Sequence, residues 1–157
     1  MTRKFSDEQQ FEKAVFYYAS KLNDLYRTKL NKLLFYTQFY HQKRFNKAYF
    51  SSFVFIKDTF GPVLVNLDAH LNMLATRGAI TIEPDIYGNI VKAAEGRKLA
   101  KGICLPDEIV VFEKILDKFR NFSSRDLSDY SHKEPLWKNT RFKGEIAVGR
   151  SNELLDL

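Results

Sequence analysis

Three histidines, His41, His70 and His132, and one cysteine, Cys104, are the residues of this 157-residue chain best suited to metal or nucleophilic chemistry. They lie far apart, whereas a zinc site draws its ligands from closely spaced pairs. Ser131 directly precedes His132, but a serine nucleophile needs a base and an oxyanion hole arranged in space, and sequence neighbours rarely face one another. The chain holds no Gly-x-Ser-x-Gly elbow, no phosphate-binding Walker loop and no Gly-x-Gly-x-x-Gly turn. Asp126 and Asp129 are spaced like a carboxylate pair, yet Arg125 and Lys133 beside them favour surface ion pairing. His70 falls on an apolar stripe and reads as a core histidine. Cys104, between Ile103 and Leu105, reads as a buried inert thiol. A lone cysteine excludes an internal disulfide and suits a reducing compartment. The expectation is therefore a non-enzymatic protein with no metal and no cofactor.

What remains is binding. Aromatic residues make up 15% of the chain, with 14 Phe and 8 Tyr, and the formal net charge is +6. Aromatic side chains fill cores and also anchor interfaces. The charge suits an anionic partner, either nucleic acid or an acidic protein surface, and it also suits simple solubility. Arg97, Lys98 and Lys101 form a basic cluster without interleaved aromatics, which reads as a solvated loop rather than a nucleic-acid site. No signal-peptide core and no apolar run of membrane-spanning length occurs, so a cytoplasmic protein without a membrane partner is expected.

The elements that must carry this binding centre on Thr28–Gln42. At 100° per residue, Leu30, Leu33, Leu34, Thr37 and His41 share roughly 100° of arc, the width of a core-facing stripe. Phe35 and Phe39 point the other way, with Tyr36 and Tyr40 on one flank. Such a helix is either the centre of a bundle or a core helix whose second face awaits a partner. Thr28 is its expected cap. Before it, Ser6 and Gln9 have capping-box spacing for a helix carrying Phe11, Val15, Tyr18 and Leu22 inward.

Beyond it, residues 53–56 read as a short strand. Gly61 permits a bend and Pro62 pre-sets a helix start. Val63, Leu67, His70, Leu71 and Leu74 then trace one face, and Gly78 stops the helix. Residues 79–83 and 89–92 flank a five-residue loop as a hairpin with Tyr87 exposed at its tip. Pro106 opens a helix with Ile109, Phe112, Leu116 and Phe119 inward. Ser123 and Asp126 cap a short helix, and Pro135 seats another. The segment from Gly144 is weakly patterned and frays unless it docks. The chain thus reads as one mainly α domain over 1–157, with its core at about 8–146 and a flexible tail over 147–157. It has about five or six helices and a small two- to three-stranded β-hairpin element.

Three blocks together resemble the Panacea, or SocA-like, antitoxin domain. Residues 28–36, Thr-Lys-Leu-Asn-Lys-Leu-Leu-Phe-Tyr, resemble its opening, and Phe60-Gly61-Pro62-Val63 its aromatic-Gly-Pro-Val step. Residues 127–140, with Ser131-His132-Lys-Glu134 and Trp137, resemble its closing block. The resemblance covers about residues 8–146. It implies a helical domain with a small β element that inhibits a co-encoded protein toxin by direct contact. Toxins paired with the family include synthetases of the alarmone type and membrane-disrupting proteins, and some relatives hand a toxin to a protease. Many members carry a DNA-binding module before the shared domain, and about 27 residues precede Thr28 here, too few for one. Gly61, Pro62, His132 and Trp137 match the family's motif positions and read as structural.

The leading reading is an antitoxin that occludes a toxin's active or substrate site. A protease adaptor and a DNA-binding regulator are the alternatives, with nucleic acid disfavoured. The expected toxin contacts are Phe39, Tyr40, Lys43 and Arg44 on the second face of the central helix, with Tyr87 in addition.

Overall fold

The computed structural model describes residues 4–157. Ser6 closes a full capping box with Gln9 at the start of α1 (Asp7–Lys21). The central helix, α2, runs Arg27–Phe45. It starts one residue before Thr28, with Tyr26 at the cap position and no side-chain cap. The reason is tertiary: Val91 N–H donates to Leu25 O at 2.9 Å and Tyr26 bridges Ile90, so the linker is held extended up to Tyr26.

Two separate two-stranded sheets replace the single hairpin element expected. In the first, β1 (Phe55–Asp58) pairs antiparallel with β2 (Gly61–Leu64), from Phe55↔Leu64 to Asp58↔Gly61. Pro62 therefore lies in an edge strand, where its missing donor costs no ladder bond, and does not start a helix. Lys32 Nζ holds Pro62 O at 3.1 Å and Asn31 Oδ1 holds Leu64 N–H at 2.8 Å, which keeps this segment extended. The next helix, α3, begins only at Leu67 and runs to Thr76, and Val63 is not part of it. Gly78, with φ +76°, ends it as expected. In the second sheet, β3 (Ile80–Asp85) pairs with β4 (Gly88–Ala93) around a turn of Ile86 and Tyr87. The expected five-residue loop is shorter because Pro84 and Asp85 still pair, with Asn89 and Gly88.

Helix α4 (Pro106–Phe119) buries Val111, Phe112, Ile115, Leu116 and Phe119. Ile109, expected inward, is exposed, because Glu108 takes the inward position at that end. Glu108 meets Lys13 of α1 at 2.6 Å, an ion pair closed off from water on both sides, and Gln10 donates to the same carboxylate. Then follow α5 (Ser124–Ser131), α6 (Pro135–Lys138) and a 3-10 helix (Val148–Glu153). The fold is mainly α, with six α-helices and one 3-10 helix among the described residues.

Most of these elements pack round α2, which touches α1, α4, α5, β2, β4 and the 3-10 helix, while α3 packs on α1 and β3. From Lys29 to Phe39 every residue is buried. The bundle-centre alternative therefore describes this helix, and its polar residues are enclosed too. Lys29, Asn31, Lys32, Thr37 and Gln38 are each spent on a neighbour, whereas the enclosed Tyr36 hydroxyl has no hydrogen-bond partner. Lys29 Nζ binds Asp24 and Arg120 O, both at 2.9 Å. Gln38 takes both Phe50 N–H and Phe50 O, and Thr37 meets the Tyr18 hydroxyl at 2.6 Å. An enclosed amine or amide without a partner costs on the order of 1–3 kcal/mol or more, so these bonds are requirements of the fold.

Gly61 sits where the packing is tightest. Its φ is +112°, and a Cβ there would lie 2.5 Å from Ser131 Oγ and 2.9 Å from Lys32 Cε. Gly61→Ala is expected to destabilise the fold by about 3 kcal/mol, summing backbone strain and overpacking. Urea unfolding measures this, and a loss under about 1 kcal/mol would show that the site relaxes freely.

Candidate partner-binding surfaces

The second face of α2 is not open. Phe39 is buried between Phe35 and Phe55, with ring centroids 4.7 and 6.1 Å away, so it is a core residue with no surface to offer. Tyr40 is half-buried and Arg44 is exposed. Lys43 is engaged: its Nζ donates to Leu154 O at 2.6 Å and meets Asp156 at 3.2 Å. The C-terminal segment lies over this end of the helix. Leu154 is buried, and Leu155 N–H donates to both oxygens of Glu134 at 3.0 and 3.2 Å. Upstream, Lys57 N–H donates to Gly144 O and Ile146 N–H to Phe55 O, which adds a short third edge to the β1–β2 sheet. The segment that frays unless it docks is docked in this structure.

Glu134 is the ionisable group most affected by this arrangement. It is enclosed, and burial pushes its carboxyl up to about 7, against the opposing pull of the Leu155 amide and the Lys43 charge. Lys32 shows the converse, with burial lowering its amine to about 8.

Tyr87 stands at the β3–β4 turn, 78% exposed beside Ile86. The turn is braced rather than loose. Asp85 accepts from the Tyr26 hydroxyl and from Tyr87 N–H, both at 2.7 Å, and the Tyr26 and Tyr87 rings meet edge to face at 6.3 Å.

The β1–β2 turn, Thr59 and Phe60, is braced from a different direction. His132 Nε2 bonds Thr59 O at 2.9 Å, and Trp137 Nε1–H donates to Asp58 O at 3.0 Å. The two rings meet at 4.4 Å. Asp58 also binds Lys143 at 2.9 Å, which holds its carboxyl below the usual range. Gly61 and Pro62 fit the strand against Lys32 and Ser131. The four motif positions therefore meet at one corner, although they are up to 76 residues apart in sequence (137 minus 61).

The chain matches, over residues 30–138, the family described as Antitoxin SocA-like, Panacea domain. This protein belongs to that family. No curated protein and no solved structure matches it. The matched span runs from the second turn of α2 to the end of α6, so the Panacea domain here comprises the spine, both sheets and the braced corner.

The sequence marks Phe60 only as a motif position, not as a surface residue, and does not mark Phe142 at all, yet they are 69% and 55% exposed. A signal was present for the first: an aromatic directly before Gly-Pro sits in a turn and has no core to enter. For the second there was none, because its position depends on the third edge at Gly144.

The Glu134 latch generates a pH prediction. The folded protein keeps a proton between about pH 4.5 and 7 that the unfolded chain has released, so this group makes stability fall as pH rises through that window. The parent is expected to lose stability relative to Glu134→Gln across the window and to hold a constant difference above it. Parallel urea midpoints at all pH values would refute this.

Proposed function

We propose that this protein neutralises a co-encoded protein toxin by binding it directly and covering its active or substrate site. The observation that carries the reading is the Panacea family match over residues 30–138, from α2 to the end of α6. The architecture supports it. An enclosed spine fixes two hairpins whose turns hold apolar side chains, Phe60 on one and Ile86 with Tyr87 on the other, out in solvent. Exposed aromatics on a rigid frame lose little entropy on binding, which is how a small protein forms a tight interface. Occlusion of this kind needs no catalysis by the antitoxin, and it suits a toxin whose substrate is a nucleotide or tRNA. Among the described residues, no helix is long and apolar enough to cross a membrane. The reading places the pair in the cytoplasm.

Of the contacts expected from sequence, Tyr87 stays in the proposal and Phe39 leaves it. Tyr40, Lys43 and Arg44 stay as a face reached only beside the C-terminal segment.

The product of the adjacent reading frame is the toxin to test. Induced alone, it is expected to arrest growth. Co-expression of this protein is expected to restore growth through a stable complex, with the toxin's cellular level unchanged. Rescue accompanied by loss of the toxin would instead favour a protease adaptor. No rescue and no complex would sink the antitoxin reading.

A further inference from the structure

We infer that the corner built from the β1–β2 turn and residues 137–143 is the main toxin-binding surface, and that its counterpart is an acidic surface with an apolar recess. The inference rests on the antitoxin reading and adds where contact is made and what chemistry it uses.

Two exposed phenylalanines and a half-buried tryptophan share this corner. Isolated exposed apolar residues are ordinary, but here they are linked through Lys57 on Trp137 and through Lys143, which joins Phe142 to Asp58. Phe60 is 69% exposed at the tip of a turn whose carbonyls are tied down on both sides, Asp58 O by Trp137 and Thr59 O by His132. The backbone leading into Phe60 is thereby anchored, and its ring stands in solvent. Lys57 Nζ lies 4.2 Å from the Trp137 ring centre and 3.4 Å from Lys138 O. Lys143 lies 5.4 Å from the Phe142 ring centre while it holds Asp58. Residues 57–60 and 137–143 together carry four cations, Lys57, Lys138, Arg141 and Lys143, against one carboxylate, Asp58. That carboxylate is already paired with Lys143.

The composition is that of a binding centre: aromatic anchors surrounded by cations, with Arg present and free carboxylates absent among these residues. Charge complementarity then selects an acidic protein. Cations round such a patch speed association with a negative surface and reject a positive one. A beside-the-patch cleft of about 560 Å³, lined by Phe60, Asp58, Arg27 and Asp68, leaves room for a partner side chain next to Phe60. The motif residues acquire a reason in this picture. Gly61 and His132 need not touch the toxin, because with Trp137 they aim the residue that does.

The test uses the full chain and the product of the adjacent reading frame. Phe60→Ala is expected to weaken binding at least about 30-fold, the scale of an interface hot spot, and to abolish growth rescue. Arg141→Glu is expected to slow association and flatten its dependence on salt, measured at two salt concentrations. Both residues are exposed, and unchanged melting temperatures confirm that the variants are folded. Amide exchange on the parent complex gives a readout free of mutation, with protection expected at 57–60 and 137–143. If the parent neutralises the toxin while both variants bind within about twofold of it and the corner stays unprotected, this surface is wrong and the antitoxin reading stands. If the parent itself neutralises nothing, both fall. Retention of RNA or duplex DNA by the corner in place of the toxin would also overturn the inference.

Discussion

The structure depends on one requirement: a helix enclosed on every side must still find partners for its lysine, asparagine, threonine and glutamine side chains. Between Lys29 and Phe39 every residue of α2 is buried, yet this stretch includes two lysines, an asparagine, a threonine and a glutamine. Enclosing an ammonium group is among the costliest events in folding unless partners are supplied. The surrounding segments supply them from their backbones, as at Pro62 O, Leu64 N–H, Phe50 and Arg120 O. The polar residues of α2 thus specify which loop goes where, while its leucines and aromatics provide the bulk of the burial. Apolar packing alone tolerates many arrangements of similar volume. Directional bonds from the spine exclude most of them.

The same logic accounts for what sequence patterns could and could not reveal. The capping boxes at Ser6 and Ser123 and the stop at Gly78 follow from local chemistry and were readable. The all-round apolarity of α2 was readable as a choice between enclosure and a partner face. The Pro62 segment was misread because Gly-Pro before an apolar run looks like a helix start, and the deciding bonds come from Asn31 and Lys32, about thirty residues upstream. Ile109 was misplaced for a similar reason. Periodicity favours an apolar residue inside, but the buried Lys13 requires the carboxylate of Glu108 to occupy that position.

For the binding surfaces, the family resemblance located the motif residues but not their shared purpose. From sequence, His132 and Trp137 read only as structural positions. Only in three dimensions do their ring nitrogens close on the carbonyls of Thr59 and Asp58. The exposed Phe60 gains its meaning from that geometry. Phe39, by contrast, had the right residue type for an anchor but lies behind Phe55. Residue type identifies what could bind. Enclosure decides what does.

The side-chain bonds from helices to loops also shape how the molecule fluctuates. Loops usually open on their own, ahead of the core, because few interactions tie their amides down. Here the amides of Ser51, Ser52 and Phe53 are held by Asp7 at the start of α1, that of Phe50 by Gln38, and that of Leu64 by Asn31. To release any of these loops, a helix must give up its bonds as well. Local opening of these loops therefore costs more than the release of an untethered loop, because helix side chains lose their partners with it.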